Sequence, residues 1–186
     1  MRRSALVLAA LLLSGTPAAA SWALRLTGVT ADTALDLRTE PDAASASAGT
    51  LPADTRDITV VAVADEGVDW VKVEKGAVSG WVDAKFLRYA NDLPVRLECK
   101  GPDPSWSLSL GFQNALADLP TVGPTHFALE QPSTTSTRRT LWLMTGSPTR
   151  FVMIDKRVCS DGRSGTKYPY WMAAAMQGYF VEGCCK

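Results

Sequence analysis

Residues 58–82 read ITVVAVADEGVDWVKVEKGAVSGWV, and their pattern decides the fold class. Residues 58–63 form a β-branched run broken only by Ala62. Trp70-Val71-Lys72-Val73 alternates between faces, and Ser79-Gly80-Trp81-Val82 follows a glycine-containing turn. Short β-prone runs between turn signals predict strands joined by hairpins rather than helices. The same texture extends upstream. Residues 24–29 are β-prone, Leu35-Asp36-Leu37-Arg38 alternates strictly, and residues 41–48 are small and polar, as a loop requires. Residues 22–89 therefore read as one small, cysteine-free β-barrel or sandwich.

The order of motifs in this region resembles the bacterial SH3 family. Leu35-Asp36-Leu37-Arg38-Thr39-Glu40-Pro41 is similar to the family's opening motif, and Gly49-Thr50-Leu51-Pro52-Ala53-Asp54-Thr55 to its turn. The strand beginning at Trp70, the strand Gly80-Trp81-Val82 and the closing Phe86-Leu87 complete it. The resemblance implies an SH3-like barrel that binds peptidoglycan or an envelope peptide. Asp36 stands where the family usually has Asn, and Glu40 where a glycine usually precedes Pro41. Glu40 lacks that glycine's backbone freedom, which bears on any groove shaped by the loop. Candidate ligand-binding residues are Asp36, Arg38, Trp70 and Trp81. For both tryptophans, packing in the barrel core is the favoured reading, with Trp81 the more deeply placed. For Arg38 it is a salt bridge to an acidic neighbour.

Outward from this region lie an opening and a second unit. Arg2 and Arg3, the apolar residues 5–13 and the small Ala18-Ala19-Ala20 read as a secretory signal spanning residues 1–20, cleaved after Ala20. The apolar run is too short to span a bilayer, and no later segment is long and apolar enough to cross one. A periplasmic or secreted protein with no transmembrane segment after cleavage is expected. Residues 21–186 carry 17 basic and 19 acidic side chains, a balance that argues against nucleic acid or an anionic membrane as main partner.

Asn91-Asp92-Leu93-Pro94 reads as a short hinge, and residues 93–186 as a cysteine-containing β-rich domain. Residues 97–101 begin the new unit, strands are expected near residues 106–110, 141–144 and 150–154, and residues 131–139 read as a loop or a ragged strand edge. Residues 168–176 are ambiguous: the Ala173-Ala174-Ala175 run favours helix and the aromatic Tyr168-Pro169-Tyr170-Trp171 favours strand. Two short strands framing a loose connection are preferred. The stretches CKGPDPSWSLSL, CSDGRSGTKYPYWM and VEGCCK resemble an uncharacterised family of exported bacterial domains, through Cys99, Gly101, Pro104, Trp106, Cys159, Asp161, Gly162, Tyr168, Gly183, Cys184 and Cys185.

The four cysteines are Cys99, Cys159, Cys184 and Cys185. They lack the spacing of a metal site, and His126, the chain's one histidine, offers a thiol nucleophile no nearby base. In an exported chain they read as disulfides, with Cys99 tied to one of the adjacent pair and Cys159 to the other. Adjacent strand residues point to opposite faces, so the pair reaches two places. His126 reads as a surface or turn residue, and Cys159-Ser160-Asp161-Gly162 as the start of a turn whose Asp accepts local backbone bonds. No cofactor and no metal are expected.

The leading functional expectation is a non-enzymatic exported envelope protein whose SH3-like module binds peptidoglycan or a wall peptide. A protein-interaction or enzyme-inhibitor protein presenting the loop at residues 160–166, like a lysozyme inhibitor, is the second. A hydrolase using Ser160 or a free cysteine is the third.

Overall fold

The computed structural model describes residues 23–64, 69–102, 105–120, 122–134, 139–145, 147–162, 164–176 and 178–186. The signal read at residues 1–20 lies outside them, as do Pro104 and Arg163.

Seven strands build the first half: β1 (Leu24–Leu26), β2 (Ala34–Arg38), β3 (Ser47–Pro52), β4 (Arg56–Val63), β5 (Trp70–Lys75), β6 (Val78–Asp83) and β7 (Leu87–Tyr89). They form one sheet in the order β3-β2-β6-β5-β4-β1-β7. The alternation read in the sequence is the alternation of burial. Val71 and Val73 of β5 face inward at 1% and 0% exposure, while Trp70 and Lys72, alternating with them, are only half-buried. A bulge between Val60 and Ala62 leaves Val61 without a β5 partner, 46% exposed, and bends the sheet. One turn of 3-10 helix (Ala84–Phe86) joins β6 to β7, with the Asp83 carboxylate accepting from the Lys85 backbone N–H.

The second half is also β: β8 (Leu97–Pro102), β9 (Ser105–Leu110), β10 (Asn114–Leu119), β11 (Gly123–Ala128), β12 (Ser133–Thr134), β13 (Arg139–Met144), β14 (Ser147–Asp155), β15 (Cys159–Ser160), β16 (Lys167–Tyr168), β17 (Tyr170–Met176) and β18 (Tyr179–Cys185). Nine of these form one sheet in the order β11-β10-β9-β8-β18-β17-β14-β13-β12, and β15 pairs with β16 as a separate small hairpin. The described residues are all-β, as expected, apart from one 3-10 turn.

One local reading is corrected. Residues 170–176 are one continuous strand, paired on both sides by β14 and β18, not part of a loose connection. Ala174 faces Val152 across one register and Val181 across the other and is fully buried. Burial at the sheet's centre overrides the helix preference of the alanine run. Within the stretch read as a loop or a ragged strand edge, the two-residue β12 forms the sheet's edge, pairing Ser133 with Leu141 and Thr134 with Thr140; residues 135–138 lie outside the described set.

The junction is a hydrogen-bonded reversal. Asp92 N–H donates to the Tyr89 carbonyl at 2.9 Å, Tyr89 N–H to that of Leu93 at 2.9 Å, and Val95 N–H to that of Leu87 at 3.2 Å. Asp92 turns the corner at φ 70°, in the left-handed region that Asp tolerates better than most residues. Leu93 and Val95 are 5% and 1% exposed and belong to an apolar core that runs from one half into the other. Tyr89 stacks on Phe112 and meets Trp142, and the Asn91 amide donates to the Thr140 hydroxyl at 3.1 Å. Asp92 pairs with Arg25 on one side and Lys156 on the other.

Candidate functional site

The turn after β2 shapes the first candidate site. Asp42 Oδ1 accepts from Ala44 N–H at 2.9 Å, and Ser45 Oγ donates to the carbonyls of Asp42 at 2.9 Å and Glu40 at 3.2 Å. These side chains satisfy the turn's backbone, so Glu40 occupies the place of the usual glycine without a positive φ.

Beside that turn lies a groove of about 310 Å³. Asp36, Arg38, Trp70, Asp83, Lys85 and Phe86 line it. Three of the four sequence candidates thus converge: Asp36 and Arg38 from β2, Trp70 from the start of β5. Trp70 pairs across the sheet with Asp83, which brings the ring and that carboxylate to the same wall. Lys85 Nζ contacts Asp83 Oδ2 at 2.7 Å and sits 4.9 Å from the Phe86 ring centre. Such a groove presents an aromatic face, carboxylates and cations over a short span, a lining that suits a peptide carrying both polar and charged groups.

Trp81 is the exception. It pairs with Arg38 and with Lys72, on the same face of the sheet as Trp70 and Asp83, but does not line the groove. Both tryptophans are half-buried, which corrects the expectation that they fill the core. The core positions of β5 and β6 go instead to Val71, Val73 and Val82. Arg38 Nη1 donates to the Ser45 carbonyl at 3.0 Å, and among the described residues no ion pair joins it to a carboxylate. The arginine braces the turn, correcting its reading as a salt-bridge partner. Sequence reasoning missed Asp83, Lys85 and Phe86. Their signal was the approach of the β6 end to β2, which spacing alone does not reveal.

Residues 33–88 match the bacterial SH3 domain family. The SH3 match covers under a third of the chain and contains the whole groove lining. It stops before β8, and no family match supports the resemblance of residues 93–186 to an exported cysteine-containing family. No curated protein and no solved structure matches the chain.

Beyond the SH3 segment, the cysteines form two disulfides, Cys99–Cys185 and Cys159–Cys184, the pairing of one to each terminal cysteine read from the sequence. The strand geometry explains it. Cys99 and Cys185 are directly opposite across β8 and β18, flanked by reciprocal bonds between Glu98 and Lys186, and both are buried. Cys184 points to the other face and there staples the β15–β16 hairpin to the sheet. No free thiol is left, which overturns the cysteine form of the hydrolase reading.

Among the described residues Ser160 has no basic partner; its Oγ accepts from Gly162 N–H at 3.4 Å. Asp161 accepts from Ser164 N–H at 2.9 Å and from Ser164 Oγ at 2.5 Å, the local turn bonding expected. His126 is exposed on β11, in a strand rather than a turn. Among the described residues no group of three or more His, Cys, Asp or Glu could hold a metal ion. Nor is any helix there long and apolar enough to cross a membrane.

The motif residues of the second half meet at Trp106. A Cβ at Gly101 would lie 2.2 Å from Trp106 Nε1, and one at Gly183 would lie 2.6 Å from Trp106 Cζ2. Only glycine at both places lets the indole lie against β8 and β18 beside the disulfides. Nearby, Lys100 Nζ is 5.5 Å from the Tyr168 ring centre, and a hydrogen bond with Tyr168 holds the ammonium group above its usual pKa.

Proposed function

We propose that the protein is an exported, non-enzymatic envelope component, periplasmic or secreted, whose SH3 segment binds peptidoglycan or a wall peptide in the groove lined by Asp36, Arg38 and Trp70. The observation that carries this reading is the placement of that groove wholly within the segment matching the bacterial SH3 family. The two disulfides support export, because such bonds persist in oxidising compartments. The test is retention of the full-length protein on purified peptidoglycan. Retention that Trp70→Ala abolishes supports the reading; a protein found only in the unbound fraction removes it.

A second reading rests on the β15–β16 hairpin. Its exposed turn stands on the outer face of the sheet, held at its base by Cys159–Cys184. A rigidly held loop suits insertion into a partner protein, because little conformational freedom is lost on binding. A lysozyme assay with the protein in large molar excess tests this role, and undiminished lysozyme activity removes the lysozyme-inhibitor version.

A further inference from the structure

The second half carries a cavity of its own, of about 320 Å³, where β8, β9 and β10 run side by side. Lys100, Ser105, Trp106, Ser107, Asp118 and Leu119 line it. Register places three of these in one cross-strand row: Lys100 opposite Ser107, and Ser107 opposite Asp118. Successive residues in such a row share a face. The face is open, since Lys100, Ser107 and Asp118 are all exposed. Among the described residues no ion pair uses either the Lys100 ammonium, which rests beside the Tyr168 ring, or the Asp118 carboxylate.

The row thus displays a cation and an anion with a hydroxyl between them. Two strand spacings of roughly 4.8 Å put the backbone positions of Lys100 and Asp118 about 10 Å apart. An extended peptide of about three residues covers the same distance. The chemistry at each point matches such a chain. A carboxylate end suits Lys100, an ammonium end suits Asp118, and the Ser107 hydroxyl can both donate to and accept from the peptide groups between. A simple anion would meet repulsion from Asp118, and a simple cation would meet it from Lys100. The strands carrying the row are held firmly, because on their opposite face Gly101 and Gly183 seat the Trp106 ring and the disulfide Cys99–Cys185 ties β8 to β18.

We propose that this cavity is a binding site for short zwitterionic peptides, with the free amino end at Asp118 and the free carboxylate end at Lys100. It is separate from the groove of the SH3 segment and does not depend on the function proposed for that groove.

The experiment is calorimetric titration of the full chain with trialanine, with N-acetyl-trialanine and with trialanine amide. Trialanine is expected to bind, and blocking either end to weaken binding about tenfold or more. Asp118→Asn should erase the preference for a free amino end, and Lys100→Met the preference for a free carboxylate. Both side chains are exposed, so each variant should keep the circular dichroism spectrum of the parent. The proposal is overturned if trialanine gives no heat of binding up to about 10 mM, if the three peptides bind alike, or if binding is unchanged in both variants.

Discussion

The Tyr89 ring meets the Trp142 ring edge-on, their centres 6.3 Å apart and their planes at 65°. Tyr89 closes β7 in the first half, and Trp142 lies in β13 of the second. Both are 1% exposed, and burial pushes the Tyr89 phenol far above its usual pKa, an effect the Trp142 side chain partly offsets. An aromatic pair buried across the junction makes the two halves share stability. Tyr89→Ala should cost about 3–5 kcal/mol, as large core truncations do. Tyr89→Phe keeps the ring pair and should cost less, under about 1.5 kcal/mol, as volume-conserving core swaps do. Urea unfolding followed by tryptophan fluorescence and by circular dichroism should give coincident transitions in the parent; separated transitions would show that the halves unfold independently.

The two disulfides should differ in worth. Cys99–Cys185 joins residues 86 apart, and Cys159–Cys184 residues 25 apart. Chain-entropy reasoning gives about 4.6 kcal/mol for the first and about 3.5 kcal/mol for the second. Replacing Cys99 and Cys185 by serine should therefore lower the denaturation midpoint more than replacing Cys159 and Cys184. It also puts hydroxyls in a buried place, which widens the gap. Equal losses in the two double variants would contradict this ranking.

Asp92 should make stability depend on acid. A hydrogen bond from Lys156 holds its carboxyl below the usual carboxylate range, with the charges of Lys156, Arg88 and Arg25 acting in the same direction. A group whose pKa is lowered on folding stabilises fully above its unfolded value, near 4, and loses that contribution as pH falls through the folded value. Asp92→Asn keeps a residue tolerant of the left-handed turn and removes only the charge. The side chain is half exposed, so the cost near neutral pH should be at most about 1 kcal/mol. It should shrink with added salt and approach zero in strong acid. A thermal melt series across pH on parent and variant checks this.

The sequence made some of this architecture legible and hid the rest for definite reasons. Residues 70–73 and 79–82 announced their strands because alternation in the sequence is alternation of burial in the sheet. Strand β10 hid because its inward residues Ala115 and Ala117 are poor strand formers, and only contact with β9 and β11 makes them core. β11 hid behind Pro124, which an edge strand tolerates. At the groove, Asp36, Arg38 and Trp70 were found because strand residues of those types stand out. Lys85 and Phe86 came from the 3-10 turn, whose position depends on how β6 ends. The tryptophans misled because an amphipathic strand offers two faces, and composition does not say which one an aromatic takes.

Trp106 and its two glycines make a double-mutant argument. Gly101→Ala places a methyl group where the indole lies, and the fixed strand pairing of Gly101 with Trp106 prevents the ring from moving aside without cost. Overpacking of this kind should destabilise by about 1–3 kcal/mol. Trp106→Leu should also destabilise, through lost apolar burial. Combined, the two substitutions should cost less than their sum, because the leucine vacates the space the alanine needs. Strict additivity in chemical denaturation would mean that the glycine is not there for the ring.

The groove makes the sharpest functional prediction, because two tryptophans of the SH3 segment separate cleanly. Trp70 lines the groove, while Trp81, on the same face between Arg38 and Lys72, stands outside its lining. Both are half-buried, so truncation should perturb stability to a similar degree. Trp70→Ala should weaken retention on peptidoglycan about tenfold or more, as loss of an aromatic anchor does. Trp81→Ala should change retention by less than about threefold. Asp36→Asn, which removes one groove carboxylate without changing its shape, should fall between them. Retention measured at matched folded fractions decides the matter. If Trp81→Ala were the damaging change, the ligand surface would lie along the same face toward Lys72 and not in the groove.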